Sequence, residues 1–172
     1  MKKNNSNIKA LYIVRNSKIH GKGVYAKEDI PKGTKIIEYV GKIVSSKQGN
    51  RIAEEHYEKH KKTGSGAVYI FELNKKQDID GDVSWNTARY INYSCEPNCR
   101  YKIMDNHIWI ISLRDINKGE ELTYDYGYDL QDYKDHPCKC NSKSCLGYII
   151  GKRYRKKFEK LKKLDKKNNR KR

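Results

Sequence analysis

The sequence predicts a mainly β chain of many short strands with few helices. Three observations carry that reading. Apolar residues come in short runs, several of them alternating. Glycine, proline and Asp-Gly turn signals separate the runs. Segments of helical length are confined to a polar stretch at 47–62 and to the C-terminal tail.

Taken in order, LYIV (11–14) reads as a strand, GKG (21–23) as a glycine turn, and VYA leads out of it. TKIIEYVGKIV (34–44) reads as two strands around Gly41, and 47–62 as a helix ending before Thr63-Gly64. AVYIFEL (67–73) alternates as a strand does, and KKQDIDGD (75–82) carries an Asp-Gly turn signal. NTARYINYS (86–94) has helical character and runs into a Cys-Glu-Pro-Asn turn. HIWIISL (107–113) is the clearest strand, and INKGEELTYDYG (116–127) reads as a turn and then a strand. Phe158, Leu161 and Leu164 recur at helical spacing, so the first half of the tail reads as a basic helix. Its last eight residues lack apolar content and are expected to be disordered.

The 172 residues suit one domain with a small appendage. Formal net charge is +17, which points to an anionic partner, a need for solubility, or both. The excess is local: Gly151 to Arg172 holds 13 basic and 2 acidic residues. No apolar run approaches the roughly 20 residues that span a bilayer, so no membrane role is expected. The basic start MKKNNSNIKALYIV is interrupted by Arg15 and has no small-residue cleavage site, so a reducing, intracellular setting is expected.

Four constellations carry chemistry. Three of the five cysteines form Cys138-x-Cys140-x4-Cys145. Closely spaced thiolates suit a tetrahedral zinc ion, and a closed structural site needs a fourth ligand from elsewhere. Cys95 and Cys99 are candidates, with His136 and His107 behind them. Asn92-Tyr93-Ser94-Cys95-Glu96-Pro97-Asn98-Cys99 is by itself a polar turn. In GEELTYDYGYD (119–129), alternation would place Tyr124, Tyr126 and Tyr128 on one face, as an aromatic channel would need. With 14 Tyr in the chain, that spacing alone also fits a half-buried sheet face. Gly21-Lys22-Gly23 permits a sharp turn or a close backbone approach, and no long helix follows it as a dinucleotide fold would require.

In this order, GKGVYA (21–26), ARYINYSCEPNC (88–99), GEELTYDYGYD (119–129) and CKCNSKSC (138–145) resemble the SET-domain lysine methyltransferases with a post-SET zinc motif. The likeness runs over roughly residues 10 to 150. It implies a β-clip-like SET fold: small sheets of short strands around a pseudoknot, few short helices and a C-terminal zinc cluster. It also implies a flexible N-terminus (1–9), a SET domain (10–130), a post-SET zinc segment (131–150) and a basic tail (151–172). The implied activity is protein-lysine methylation from S-adenosylmethionine.

By the same resemblance, main-chain groups at Lys22, Gly23 and Val24 would contact the cofactor, with Tyr69, Arg89, the Asn92 side chain and the Tyr93 backbone nearby. Tyr126 would be the catalytic tyrosine, and Tyr124 and Tyr128 would line the lysine channel. Cys95 would join Cys138, Cys140 and Cys145 on structural zinc, leaving Cys99 free. Leu146 or Tyr148 would pack on the adenine. One position departs from the pattern, since Tyr93 stands where the family has histidine. Two crowding hydroxyls at 124 and 128 favour mono- or dimethylation. The implied partner is a histone tail or another basic chromatin protein, with the basic tail contacting DNA or nucleosomes. Nuclear or chromatin association follows, in a host cell for a bacterial or viral source, with cytoplasm as the fallback. A non-histone substrate and a non-catalytic zinc-containing nucleic-acid binder are the competing readings.

Overall fold

The computed structural model describes residues 10–63 and 68–169, so the flexibility expected of residues 1–9 lies outside the described residues. Ten strands are present: β1 (Tyr12–Asn16), β2 (Lys22–Ala26), β3 (Lys35–Tyr39), β4 (Lys42–Ser45), β5 (Ile70–Asn74), β6 (Gln77–Asp80), β7 (Asn92–Tyr93), β8 (Cys99–Met104), β9 (His107–Ser112) and β10 (Thr123–Tyr124). Two α-helices, α1 (Ser46–Thr63) and α2 (Arg155–Asn169), and three short 3₁₀ turns complete the described chain. The strands form four small sheets, ordered β1-β2, β10-β7, β3-β9-β8 and β4-β6-β5. The mainly β expectation holds. Among the described residues, no helix is long and apolar enough to cross a membrane.

The central sheet carries the core. Ile108 and Ile110 of β9 are fully buried, as are Ile91, Ile116 and Leu122 from the loops around it. A register irregularity between Lys35 and Ile37 lets β3 bury two successive isoleucines, Ile36 and Ile37, where a regular strand would turn one outward. Strand β8 was not foreseen. It pairs with β9 from Cys99↔Ser112 to Met104↔His107. Its signal was the two-residue turn Asp105-Asn106, where both residues take positive φ (51° and 59°), as a tight hairpin demands.

Other expectations are corrected. The β5–β6 turn falls at Lys75-Lys76, and the Asp80-Gly81 pair follows β6 instead of making that turn. The 86–94 segment divides into a 3₁₀ turn, Thr87–Tyr90, and the two-residue β7. The strand expected over the second half of 116–127 is reduced to Thr123–Tyr124. Helix α2 continues to Asn169, into the stretch expected to be disordered; its lysines are good helix formers and it holds no Gly or Pro. Residues 170–172 lie outside the described residues.

Helix α1 starts on a capping box. The Gln48 N–H lies 3.3 Å from Ser45 Oγ, and the Ser45 N–H donates back to Gln48 Oε1 at 3.0 Å. At the other end of the chain, α2 is docked. Phe158 is fully buried, with Tyr133 and Tyr148 edge-on at 5.2 and 6.0 Å. Phe158→Ala should therefore release α2 at a cost of about 3–5 kcal/mol. The check is faster amide exchange across 152–164 with the central sheet unchanged; uniform exchange rates would contradict it.

Candidate active site

The glycine turn and the Asn92 segment meet at a carboxylate. Asn92 Nδ2 lies 3.3 Å from His20 O, 3.0 Å from Lys22 O and 2.8 Å from Glu121 Oε1. Glu121 also accepts the hydroxyls of Ser17 (2.7 Å) and Tyr25 (3.0 Å). A Cβ at Gly23 would run into that carboxylate and push Glu121 away from its partners. Asn98 bonds Glu121 O and the Thr123 N–H, at 2.8 and 2.9 Å. The parallel pairing Thr123↔Asn92 and Tyr124↔Tyr93 then sets the two long motifs side by side. Glu121 and Asn98 lay in quoted motifs, but local spacing gave no sign of these partners.

The tyrosines converge without a continuous strand. Beyond Tyr124 the chain bends through Gly127 at φ 75°. The Tyr124 and Tyr126 rings are 4.9 Å apart, and those of Tyr126 and Tyr128 are 5.7 Å apart. Phe71 stacks on Tyr124 at 6.2 Å and meets Tyr101 edge-on at 4.8 Å. The Tyr126 hydroxyl donates to Ile91 O at 2.9 Å. Burial pushes all three phenols above their ordinary value, so they stay neutral hydrogen-bonding groups at physiological pH.

These rings line a cavity of about 850 Å³. His20, Tyr69, Arg89, Asn92 and Tyr93 border it too. Arg89 bonds Asp82 at 2.8 Å and sits over the Tyr69 and Tyr90 rings at 5.3 and 5.0 Å. Its Nε is buried without a hydrogen-bond partner, as is His60 Nδ1 on α1, whose residue also lines the cavity. A cavity of this size, lined by polar as well as aromatic side chains, suits a polar small-molecule ligand. Helix α1 supplies a wall that the sequence reading missed: the Tyr57 hydroxyl bonds Asp135 at 2.7 Å, and the His136 ring lies 6.0 Å from Tyr57 and 5.1 Å from Tyr128.

The remaining candidates are placed as follows. Lys22 is exposed, with Nζ 5.2 Å from the Tyr90 ring centre. Val24 is fully buried, and its carbonyl accepts the Leu122 N–H at 2.7 Å. Leu146 sits at the cysteine cluster, its N–H directed to Cys95 Sγ at 3.5 Å. Tyr148 packs on Tyr133 and Phe158, and Pro137, Lys139 and Ile149 contribute to the cavity wall.

The side chain of Tyr93 is turned toward the C-terminal segment. Its hydroxyl donates to Ile150 O at 2.8 Å and accepts from the Ile150 N–H (3.2 Å) and Arg155 Nη2 (3.4 Å). Arg155 also donates to Cys95 O at 2.7 Å and to Ile150 O at 3.3 Å. Thus a tail arginine is built into the rear of the site. Nothing in its local sequence distinguished it from its basic neighbours.

Cys95, Cys138, Cys140 and Cys145 bring their sulfurs within 4.8 Å of one another, with Cys95 and Cys138 at 3.9 Å. Zn–S bonds of about 2.3 Å at tetrahedral angles need S···S separations of roughly 3.8 Å, so this donor set fits structural zinc. Burial works against ionising the Cys140 thiol. Donation from the Cys95 N–H and Ser142 outweighs it and brings the thiol down to about 6. Cys99 is buried in β8, where burial pushes its thiol up to about 12. His107 is paired with Glu38, and His136 faces the aromatic wall. Of the candidates left open by spacing, Cys95 is the one whose sulfur joins the other three.

Residues 21–127 match the family described as SET domain. Histone-lysine N-methyltransferase trithorax of Drosophila virilis is 42% identical over 137 residues, 77% of this chain and 3% of that protein. Histone-lysine N-methyltransferase 2D of Homo sapiens is 40% identical over 144 residues, 81% of this chain and 2% of that protein. A histone-lysine N-methyltransferase of Chaetomium globosum, named as H3 lysine-4 specific, is 41% identical over 139 residues, 77% of this chain and 12% of that protein. The chain thus spans only a small part of the length of these relatives. The family match covers the Asn92 segment, the 119–127 part of the motif that β10 sets beside it, and Tyr124 and Tyr126 of the cavity, and on that ground this chain belongs to the SET-domain family.

Proposed function

We propose that the chain is a protein-lysine N-methyltransferase that uses S-adenosylmethionine and acts on a histone. The observation that carries this reading is the Tyr126 hydroxyl held by Ile91 O within a wall of neutral tyrosines. When bound, S-adenosylmethionine supplies a methyl group activated by a sulfonium. Arg89, Tyr69, the Tyr93 backbone and the start of β2 (Lys22, Gly23 and Val24), pinned by Asn92, would hold it, with Leu146 toward the adenine.

A free lysine has a pKa near 10.4, so presenting it as a neutral amine at pH 7 costs about 4–5 kcal/mol. An aromatic, poorly solvated channel lowers that cost, because burial disfavours the ammonium. The proton leaves to solvent before the channel closes over the side chain. Tyr126 then orients the amine through its hydroxyl, and the Ile91 carbonyl holds that hydroxyl in place. Tyr124 and Tyr128 crowd the acceptor nitrogen, which favours mono- or dimethylation. Replacing either with Phe should raise the product state by one methyl, read by mass spectrometry; a trimethylated product from the unaltered chain would refute the crowding argument.

The homologues' names make histones the first substrates to test, H3 among them. Chromatin is then the setting, and the basic C-terminal region is its natural contact with DNA. The test incubates the protein with methyl-labelled S-adenosylmethionine and core histones, nucleosomes or a histone-free lysate. Label on one histone is the expected result. Label only in the lysate would replace the histone by another protein. No label together with no cofactor binding by calorimetry would overturn the reading.

A further inference from the structure

We infer that the exposed face of α2 binds the phosphate backbone of duplex DNA and holds the aromatic cavity beside it. At 100° per residue, Lys156, Lys160 and Lys163 lie within about 40° of the direction opposite Phe158, the buried anchor of the helix. All three are exposed, Lys157 flanks them, and Glu159 is the sole acidic residue of the helix up to Leu164. The stripe from Lys156 to Lys163 is about 10 Å long. That length spans roughly three phosphates at about 3.4 Å per strand step.

The helix is not a free arm. Phe158 and the Arg155 bonds to Cys95 O, Ile150 O and Tyr93 fasten it to the cysteine cluster and to the residue beside Asn92. At its foot Lys152 and Arg153 line the cavity, as does Lys139, so the basic surface continues to the cavity mouth. Lysines act as point charges toward phosphate and carry no base-reading fork, so the contact is with the backbone and indifferent to sequence. The exposed apolar residues of the helix are Leu161 and Leu164, with no aromatic ring on which single-stranded bases could stack. The partner is therefore duplex.

The test is fluorescence anisotropy of the full chain with a duplex of about 20 base pairs across a salt series. The triple variant K156Q/K160Q/K163Q changes only exposed side chains. It should flatten the slope of log affinity against log salt by about 3 and weaken binding at least 10-fold near 0.1 M salt. An unchanged slope and affinity would overturn the proposal. So would tighter binding of poly-glutamate than of duplex with the same lysine dependence, which would assign the face to an acidic protein. A second arm rests on the methyl-transfer reading: turnover on nucleosomes should fall in the variant while turnover on a free histone peptide stays the same. DNA binding lost in the variant, with no turnover on either substrate, would keep the surface and reject the transferase.

Discussion

Tyr126→Phe will lower methyl transfer by about 10²- to 10³-fold while the protein stays folded and still binds S-adenosylmethionine. The hydroxyl is the only atom removed, and its hydrogen bond to Ile91 O is what holds it within the aromatic cavity. An orienting group acts on the reacting geometry more than on ligand affinity, so the loss should fall on kcat and leave the cofactor Kd within about 3-fold. The pH profile adds a second check. Burial raises the Tyr126 phenol well above its ordinary value, so it stays protonated across the working range. The rate should rise with pH as the acceptor lysine loses its proton, without a falling limb below about pH 10 from Tyr126. Equal kcat in the variant, or a falling limb that Tyr126→Phe abolishes, would remove the residue from its proposed role.

Loss of the metal should have a comparably large effect by a different route. Structural zinc sites contribute on the order of 10–16 kcal/mol in small peptides at neutral pH. Here the four sulfurs join Cys95, two residues past Tyr93, to the 138–145 segment. Cys140→Ser, or a strong chelator, should abolish bound zinc and open 131–150 to proteolysis at Lys134, Lys139 and Lys143. Cofactor affinity should fall at least 10-fold, because Pro137, Cys138 and Lys139 form part of the cavity wall. The β3-β9-β8 core supplies none of the four sulfurs and should keep its amide protection. Cys99→Ser, buried in β8 and outside the four-sulfur cluster, should retain full zinc content. A metal-free protein with unchanged cofactor affinity and cleavage pattern would show that the cluster has no hold on the site.

Much was legible in the sequence because it is encoded locally. Alternation and turn residues marked most of the strands. Motif order pointed to the family, and the density of three cysteines within eight residues pointed to metal. Position 23 was legible as a close approach, though not what approaches it. Spacing left Cys95 and Cys99 open as the fourth member of the cysteine cluster and the family resemblance named Cys95; the tertiary structure is what brings the Cys95 sulfur to the other three. It also decided that the tyrosines converge past the end of β10, that Glu121 is shared by Ser17, Tyr25 and Asn92, and that Arg155 fastens the tail behind Tyr93. The tyrosine contacts are local and turn on the bend at Gly127, whereas the Glu121 and Arg155 contacts span tens of residues or more along the chain. Periodicity and spacing report on neighbours within a few residues, whereas long-range partners are chosen by packing of the whole core.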